Sequence, residues 1–219
     1  MTELPFYSLL RHIVHAFCLV YFRIEFHGAE RVPSTGPVIF TPNHASYVDP
    51  VWVSIPIRRR LRYMTWDRMF QVPVLGPVLR VFGAFPVNVE AGDPGALRQS
   101  LEHLRAGGAL MIFPEGTRTR SGQLMPFKQG AIRLALKTGA PIVPVTIIGG
   151  YRAYSRWHRF PRPYKVKVFY HEPIRLSQPA DEMELKRYMR EQAARLQRIV
   201  ASGLPEAATA GEAAQGEAG

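Results

Sequence analysis

Short apolar runs alternate with segments that carry helix start and stop signals from residue 23 to residue 201. This alternation constrains the fold more than any other feature of the chain. Strand candidates lie at residues 23–27, 37–41, 63–66, 83–87, 109–113, 142–148 and 165–170. A helix is expected to start at Asp49-Pro50, with Asp as N-cap and Pro in the first turn. Others are expected over 93–105, where Pro94 opens and Gly107-Gly108 follows, over 128–137 before Gly139, and over 181–201. The pattern predicts a single α/β domain with a mostly parallel or mixed sheet covered by helices. The length of 219 residues suits one domain, and 47% hydrophobic residues suffice for a full core. Cys18 stands alone, which excludes an internal disulfide and a Cys-rich metal site and suits a reducing compartment.

Ahead of the domain, residues 1–22 read as an amphipathic helix. Phe6, Leu9, Leu10, Ile13, Val14, Phe17 and Tyr21 recur at helical spacing, with Ser8, Arg11, His12 and His15 opposite. The longest clean apolar piece, residues 16–22, is far short of the roughly 20 residues that span a bilayer. Such a helix lies in a membrane interface or docks on the core, and Arg23 and the basic stretches below favour the interface. The domain itself is expected over 23–200, followed by a flexible Ala/Gly/Glu tail over 201–219.

Charge narrows the partners. The chain carries a formal +11, and its tail holds Glu206, Glu212 and Glu217 with no Lys or Arg, so the body is more basic still. A surface of this kind attracts nucleic acid, anionic lipid or an acidic protein. Arg58, Arg59, Arg60, Arg62 and Arg68 interleave with Trp52, Tyr63, Trp66 and Phe70, and a second such stretch runs over 152–167. Both suit anionic headgroups, and equally an acidic carrier protein.

Two clusters carry chemistry. The first, residues 41–50, reads Thr-Pro-Asn-His-Ala-Ser-Tyr-Val-Asp-Pro and follows a buried strand, where α/β sheets hold their sites. On one helix His44 and Asp49 would be about 140° apart. Pro50 biases Asp49 away from helical geometry, so the loop can fold back and bring carboxylate to imidazole. A carboxylate on one ring nitrogen leaves the other free to take a proton. The same residues are also what a loop histidine beside a helix cap looks like. The second cluster, residues 113–120, reads Phe-Pro-Glu-Gly-Thr-Arg-Thr-Arg. Arg118 and Arg120 suit a phosphate, and Glu115 can accept a hydrogen bond from a substrate hydroxyl. A solvated basic loop has the same composition.

Together these segments resemble the glycerophosphate and lysophospholipid acyltransferase family. Asn43 to Asp49 is similar to its first motif and Phe113 to Arg118 to its third. Gly83-Ala84-Phe85-Pro86-Val87 is similar to the second, and Pro141-Ile142-Val143-Pro144-Val145 to the fourth. The ordered set covers about residues 37–145. The resemblance implies O-acyl transfer from acyl-CoA or acyl carrier protein to the free hydroxyl of 1-acylglycerol 3-phosphate, giving phosphatidic acid. By the same resemblance His44 would be the general base and Asp49 its support. Glu115, Gly116, Thr117, Arg118, Arg120 and Lys128 would hold the acceptor. No metal and no cofactor beyond the donor is implied. The partners implied are the membrane lipid surface, the lysophospholipid and the acyl carrier, with no nucleic acid. The implied location is the cytoplasmic face of the cell membrane, peripheral or monotopic.

One departure bears on the acceptor. Similar proteins commonly continue the second motif to an Arg, where this chain has Val89 after Asn88. Another lysolipid, in phospholipid remodelling or lyso-ornithine lipid synthesis, is therefore the alternative acceptor. The different-class alternative is a non-catalytic basic protein of membrane surfaces or nucleic acid. A P-loop, a Gly-x-Gly-x-x-Gly and a Gly-x-Ser-x-Gly are all missing from the sequence, which disfavours nucleotide enzymes and serine hydrolases. Backbone N–H groups near His44, or a helix N-terminus, are the candidates for steadying the oxyanion that acyl transfer develops.

Overall fold

A computed structural model describes residues 5–71, 73, 76, 79–80, 83–87, 94–179 and 181–206. Asn88 and Val89 lie outside these residues, as does the expected tail from 207 onward. The chain runs α1 (Pro5–Tyr21), β1 (Glu25–His27), β2 (Val38–Pro42), α2 (Asp49–Ser54), β3 (Leu61–Trp66) and β4 (Ala84–Val87). It continues with α3 (Pro94–Arg105), β5 (Ala109–Met111), α4 (Gly130–Thr138), β6 (Ile142–Ile148), α5 (Gly150–Tyr154), β7 (Lys167–Tyr170) and α6 (Glu182–Ser202).

The seven strands form one mixed sheet in the order β1-β7-β6-β2-β5-β3-β4. Strands β6, β2, β5, β3 and β4 are parallel, while β7 pairs antiparallel to β6 and carries β1 parallel to itself. Strand residues alternate between two cores, as a sheet covered on both faces requires. Val38, Phe40, Ala109, Met111, Val143 and Val145 face one core, which receives Phe22, Trp52 of α2 and Ala153 of α5. Ile39, Leu110 and Ile142 face the other, which receives Leu104 of α3, Ile132 of α4 and Leu196 of α6.

This layering decides where a site can form. The chain leaves β2 toward α2 on one face and leaves the neighbouring β5 toward α4 on the other. The loops that follow β2 and β5 therefore meet at the carboxyl ends of adjacent strands whose connections go to opposite faces, the place where α/β sheets hold their sites.

Three expectations need correction. Asp49 is not the N-cap of α2: the helix begins at Asp49 itself, Val48 precedes it, and no side chain caps it. The reason is that the carboxylate turns back over the preceding loop. The α1 stripe does not act as one face. Val14, Cys18, Tyr21 and Phe22 pack on the core, while Ile13, Phe17, Leu19 and Val20 stay exposed, Val20 at 80%. Two contacts set that rotation, the Phe22 ring 5.0 Å from Trp52 and the Tyr21 hydroxyl donating to the Pro161 carbonyl at 2.9 Å. The basic–aromatic stretch from Trp52 to Phe70 is structural in part, while Arg58, Arg60 and Arg68 stay exposed. Arg59 donates to the carbonyls of Pro33, Gly36 and Gly107, Arg62 lies 5.0 Å over the Phe85 ring, and Trp52 and Tyr63 are buried. No helix among the described residues is long and apolar enough to cross a membrane.

Asn43 extends the sheet with a side chain. Its Nδ2 donates to the Ile147 carbonyl at 3.0 Å, and its Oδ1 accepts from the Ile147 N–H at 2.7 Å. This buried pair closes the β2–β6 ladder one residue before His44 leaves it. Asn43→Ala strands both Ile147 groups without water and is expected to destabilise the fold by about 2–4 kcal/mol, read by urea denaturation.

Candidate active site

Asp49 is fully buried, and its Oδ2 gathers three donors. These are His44 Nδ1 at 2.9 Å, Ala45 N–H at 2.7 Å and Ser46 N–H at 2.7 Å. The five-residue loop is thereby wrapped around one oxygen. An ionised carboxylate only accepts, so the ring proton sits on Nδ1 and the Nε2 lone pair is free. Nε2 has no protein partner among the described residues, and the side chain keeps 18% of its surface exposed. Gly150, the first residue of α5, closes over the other oxygen: a Cβ there would meet Asp49 Oδ1 at 3.1 Å and the Trp52 ring at 3.3 Å. The double glycine at 149–150 was the only sequence signal of that closure.

Burial holds the His44 pKa below the ordinary 6.5, aided by the charge of Arg118 and opposed by Asp49. The ring is therefore neutral at pH 7, the form that accepts a proton. It stacks on Phe113, centroids 3.8 Å apart. Sequence reasoning missed Phe113, although an aromatic residue at the end of β5 beside the Glu115 loop was the available signal.

Glu115 serves differently from the expectation. Its Oε1 accepts from the His44 backbone N–H at 2.6 Å and its Oε2 from the Met125 N–H at 3.0 Å. With both oxygens occupied and the residue 4% exposed, Glu115 ties the two loops together and does not offer itself to a substrate hydroxyl. The Thr119 N–H completes the tie by donating to the His44 carbonyl at 2.9 Å. These contacts also narrow the oxyanion expectation: the N–H groups of His44, Ala45 and Ser46 are spent on carboxylates, which leaves a helix N-terminus as the other candidate. Ser46 Oγ accepts from the Val48 N–H at 3.2 Å, a turn contact rather than a nucleophile's.

The structure brings Arg118 to the imidazole and stacks its guanidinium 3.5 Å from the Tyr47 ring centroid. Gly116 takes φ +77°, and a Cβ there would lie 2.6 Å from Lys128 Nζ, so the glycine makes room for that ammonium. Thr117 is exposed beside them. The Arg120 side chain is exposed, and what is held there is its carbonyl, which accepts from Tyr151 OH at 2.8 Å and Trp157 Nε1 at 2.9 Å. A free proton acceptor thus stands partly exposed beside cations, an arrangement that can deprotonate a hydroxyl whose molecule also carries a phosphate. Among the described residues no group of three or more His, Cys, Asp or Glu is placed to hold a metal ion.

A family model described as Acyltransferase matches residues 23–148. A 1-acyl-sn-glycerol-3-phosphate acyltransferase of Borreliella burgdorferi is 34% identical over 122 residues, 55% of this chain and 49% of that protein. A chloroplastic enzyme of the same name from Brassica napus is 31% identical over 134 residues, 59% of this chain and 38% of that one. The chain therefore spans less than half the length of either relative. The crystal structure of the 1-acyl-sn-glycerophosphate acyltransferase PlsC from Thermotoga maritima superposes with a TM-score of 0.69 at 25% identity, covering 90% of this chain and 81% of that one.

Two measurements check the site. The His44 imidazole is expected to titrate below 6.5 by NMR, and Asp49→Asn, which removes the group that raises it, is expected to move it lower still. Burial pushes the Glu115 carboxyl up to about 7, against two N–H donors that favour its charged form. Between the ordinary 4.5 and about 7 the folded chain holds a proton that the unfolded chain has released. That stabilisation is full below 4.5 and is lost as pH rises through 7. Thermal midpoints of wild type should fall across this interval, and those of Glu115→Gln should show a shallower slope.

Proposed function

The chain belongs to the acyltransferase family, and on that premise we propose that it transfers a fatty acyl group from an acyl thioester to the free hydroxyl of 1-acylglycerol 3-phosphate, giving phosphatidic acid. The observation that carries the reading is the free Nε2 of a His44 fixed by Asp49, within the field of Arg118 where the loops after β2 and β5 meet. In this reading His44 Nε2 takes the hydroxyl proton as the acceptor oxygen attacks the thioester carbonyl. A C–O bond forms, the C–S bond breaks, and the proton passes to the leaving thiolate. Asp49 steadies the transient imidazolium. Arg118 and Lys128, with Gly116 and Thr117 between, receive the acceptor phosphate, and Arg120 stands at the outer rim. Glu115 acts through the position of His44.

The donor is acyl-CoA or acyl carrier protein, and no cofactor takes part. The acceptor is a membrane lipid, so the enzyme works on the cytoplasmic face of the cell membrane. It rests there on the exposed Ile13, Phe17, Leu19 and Val20 of α1 as a peripheral or monotopic protein and does not engage nucleic acid.

The test is acyl transfer followed by mass spectrometry with lysophosphatidate, glycerol 3-phosphate, lysophosphatidylglycerol and lyso-ornithine lipid as separate acceptors. Lysophosphatidate is expected to be the substrate. His44→Ala should cut turnover by about 10²- to 10⁴-fold. Arg118→Ala should raise the acceptor KM by about tenfold or more while leaving the donor KM near its wild-type value. Transfer to a lysolipid without phosphate, unaffected by Arg118→Ala, would overturn the acceptor assignment.

A further inference from the structure

A second basic cluster lies beside the first: burial does most to lower the Arg118 pKa, and the charge of Arg156 is close enough to lower it further. Tyr151, Arg152, His158, Arg162, Pro163 and Tyr164 line a cavity of about 320 Å³. Residues 150–164 contain Arg152, Arg156, Arg159 and Arg162 and no acidic residue. All four arginines are exposed, and none has an acidic partner among the described residues. Lys165 and Lys167, by contrast, are both paired with Glu25. Arg152 Nη1 donates to Tyr164 OH at 3.0 Å, which holds that guanidinium at the cavity wall. His158 Nδ1 accepts the Ser155 N–H at 3.2 Å, so a neutral ring carries its proton on Nε2 and is a donor there.

The same segment displays Trp157 at 64% and Phe160 at 68% exposure, each under the guanidinium of the arginine before it. It is tied to the C-terminal end of α1. Tyr21 OH donates to the Pro161 carbonyl, and Arg23 Nη2 donates to that of Pro163 at 3.4 Å. The exposed apolar side chains of α1 and these aromatic residues therefore belong to connected parts of one surface. Uncompensated cations around a cavity, beside exposed aromatics, match the boundary of an anionic bilayer, where phosphates meet acyl chains.

We propose that residues 151–164 bind the phosphodiester headgroup of an anionic bilayer lipid, at a site separate from the acceptor's, with Trp157 and Phe160 seated at the headgroup level. The inference rests on the reading of a membrane-lipid acceptor above. It adds that the surface touching the bilayer is joined to the acceptor loop, because Tyr151 and Trp157 both donate to the Arg120 carbonyl.

The test is sedimentation of the full chain with vesicles of phosphatidylcholine alone and with 30% phosphatidylglycerol as the probe, about a third of the lipid being anionic. Arg152→Gln with Arg162→Gln should weaken binding to the anionic vesicles by about thirtyfold, about fivefold per cation, and leave binding to neutral vesicles unchanged. Arg159→Gln with Phe160→Ser, at exposed positions, should weaken anionic binding too and decides the matter if the first variant fails to fold. Equal binding of variant and wild type, or equal losses on both vesicle types, overturns the proposal. So does intact vesicle binding with lost binding of acyl carrier protein, which would make the surface a protein dock. Turnover plays no part in the readout, so the acyl-transfer reading can fail without this one, and the reverse.

Discussion

One carboxylate oxygen organises the functional end of this molecule. Asp49 Oδ2 takes the imidazole N–H and two backbone N–H groups out of reach of water, and so determines the path of the loop, the tautomer of the ring and the start of α2. A buried charge is stable only when it is paired and hydrogen-bonded; three donors meet that condition at Oδ2, while the buried Oδ1 has no hydrogen-bond partner among the described residues. The desolvation that makes the site demanding to build also lowers the imidazole pKa into the range where its base form dominates at neutral pH.

The site is assembled before any substrate arrives. Asn43 fixes the end of β2, Glu115 grips the His44 N–H, Thr119 grips the His44 carbonyl, and Phe113 supports the ring. Each contact crosses between segments separated by about a third of the chain or more, and each is short. In the proposed reaction a base held by so many fixed contacts would lose little entropy when the acceptor binds, which is how position is converted into rate.

Much of this was legible in the sequence, and the limits have physical causes. Buried parallel strands announce themselves as continuous apolar runs, so β2 and β6 were found with nearly correct ends. The His44–Asp49 pair was legible because the two residues are only five apart after a buried strand, although Asp49 opens the helix and Pro50 does not keep it out. Glu115 was not, since its partners, the main-chain N–H groups of His44 and Met125, are donors that every residue has and no sequence pattern marks. The α1 stripe misled for another reason: periodicity gives the width of an apolar face but not which part of it meets the core. That was set by the distant Trp52 and Pro161. The arginines after α2 looked like a surface patch, yet three carbonyls from distant turns claim Arg59.

The commitment of the His44, Ala45 and Ser46 amides has a consequence for how the two arms of the site, the loops after β2 and β5, share the work. The arm that would remove the proton cannot offer these three main-chain N–H groups to a carbonyl oxygen as negative charge gathers on it. In the proposed reaction that charge must be met from the opposite arm or from the donor itself. Proton removal and anion stabilisation would then sit on separate loops, open to separate tuning: a change at residues 116–120 could alter the affinity for a tetrahedral mimic without shifting the ionisation of the imidazole facing it.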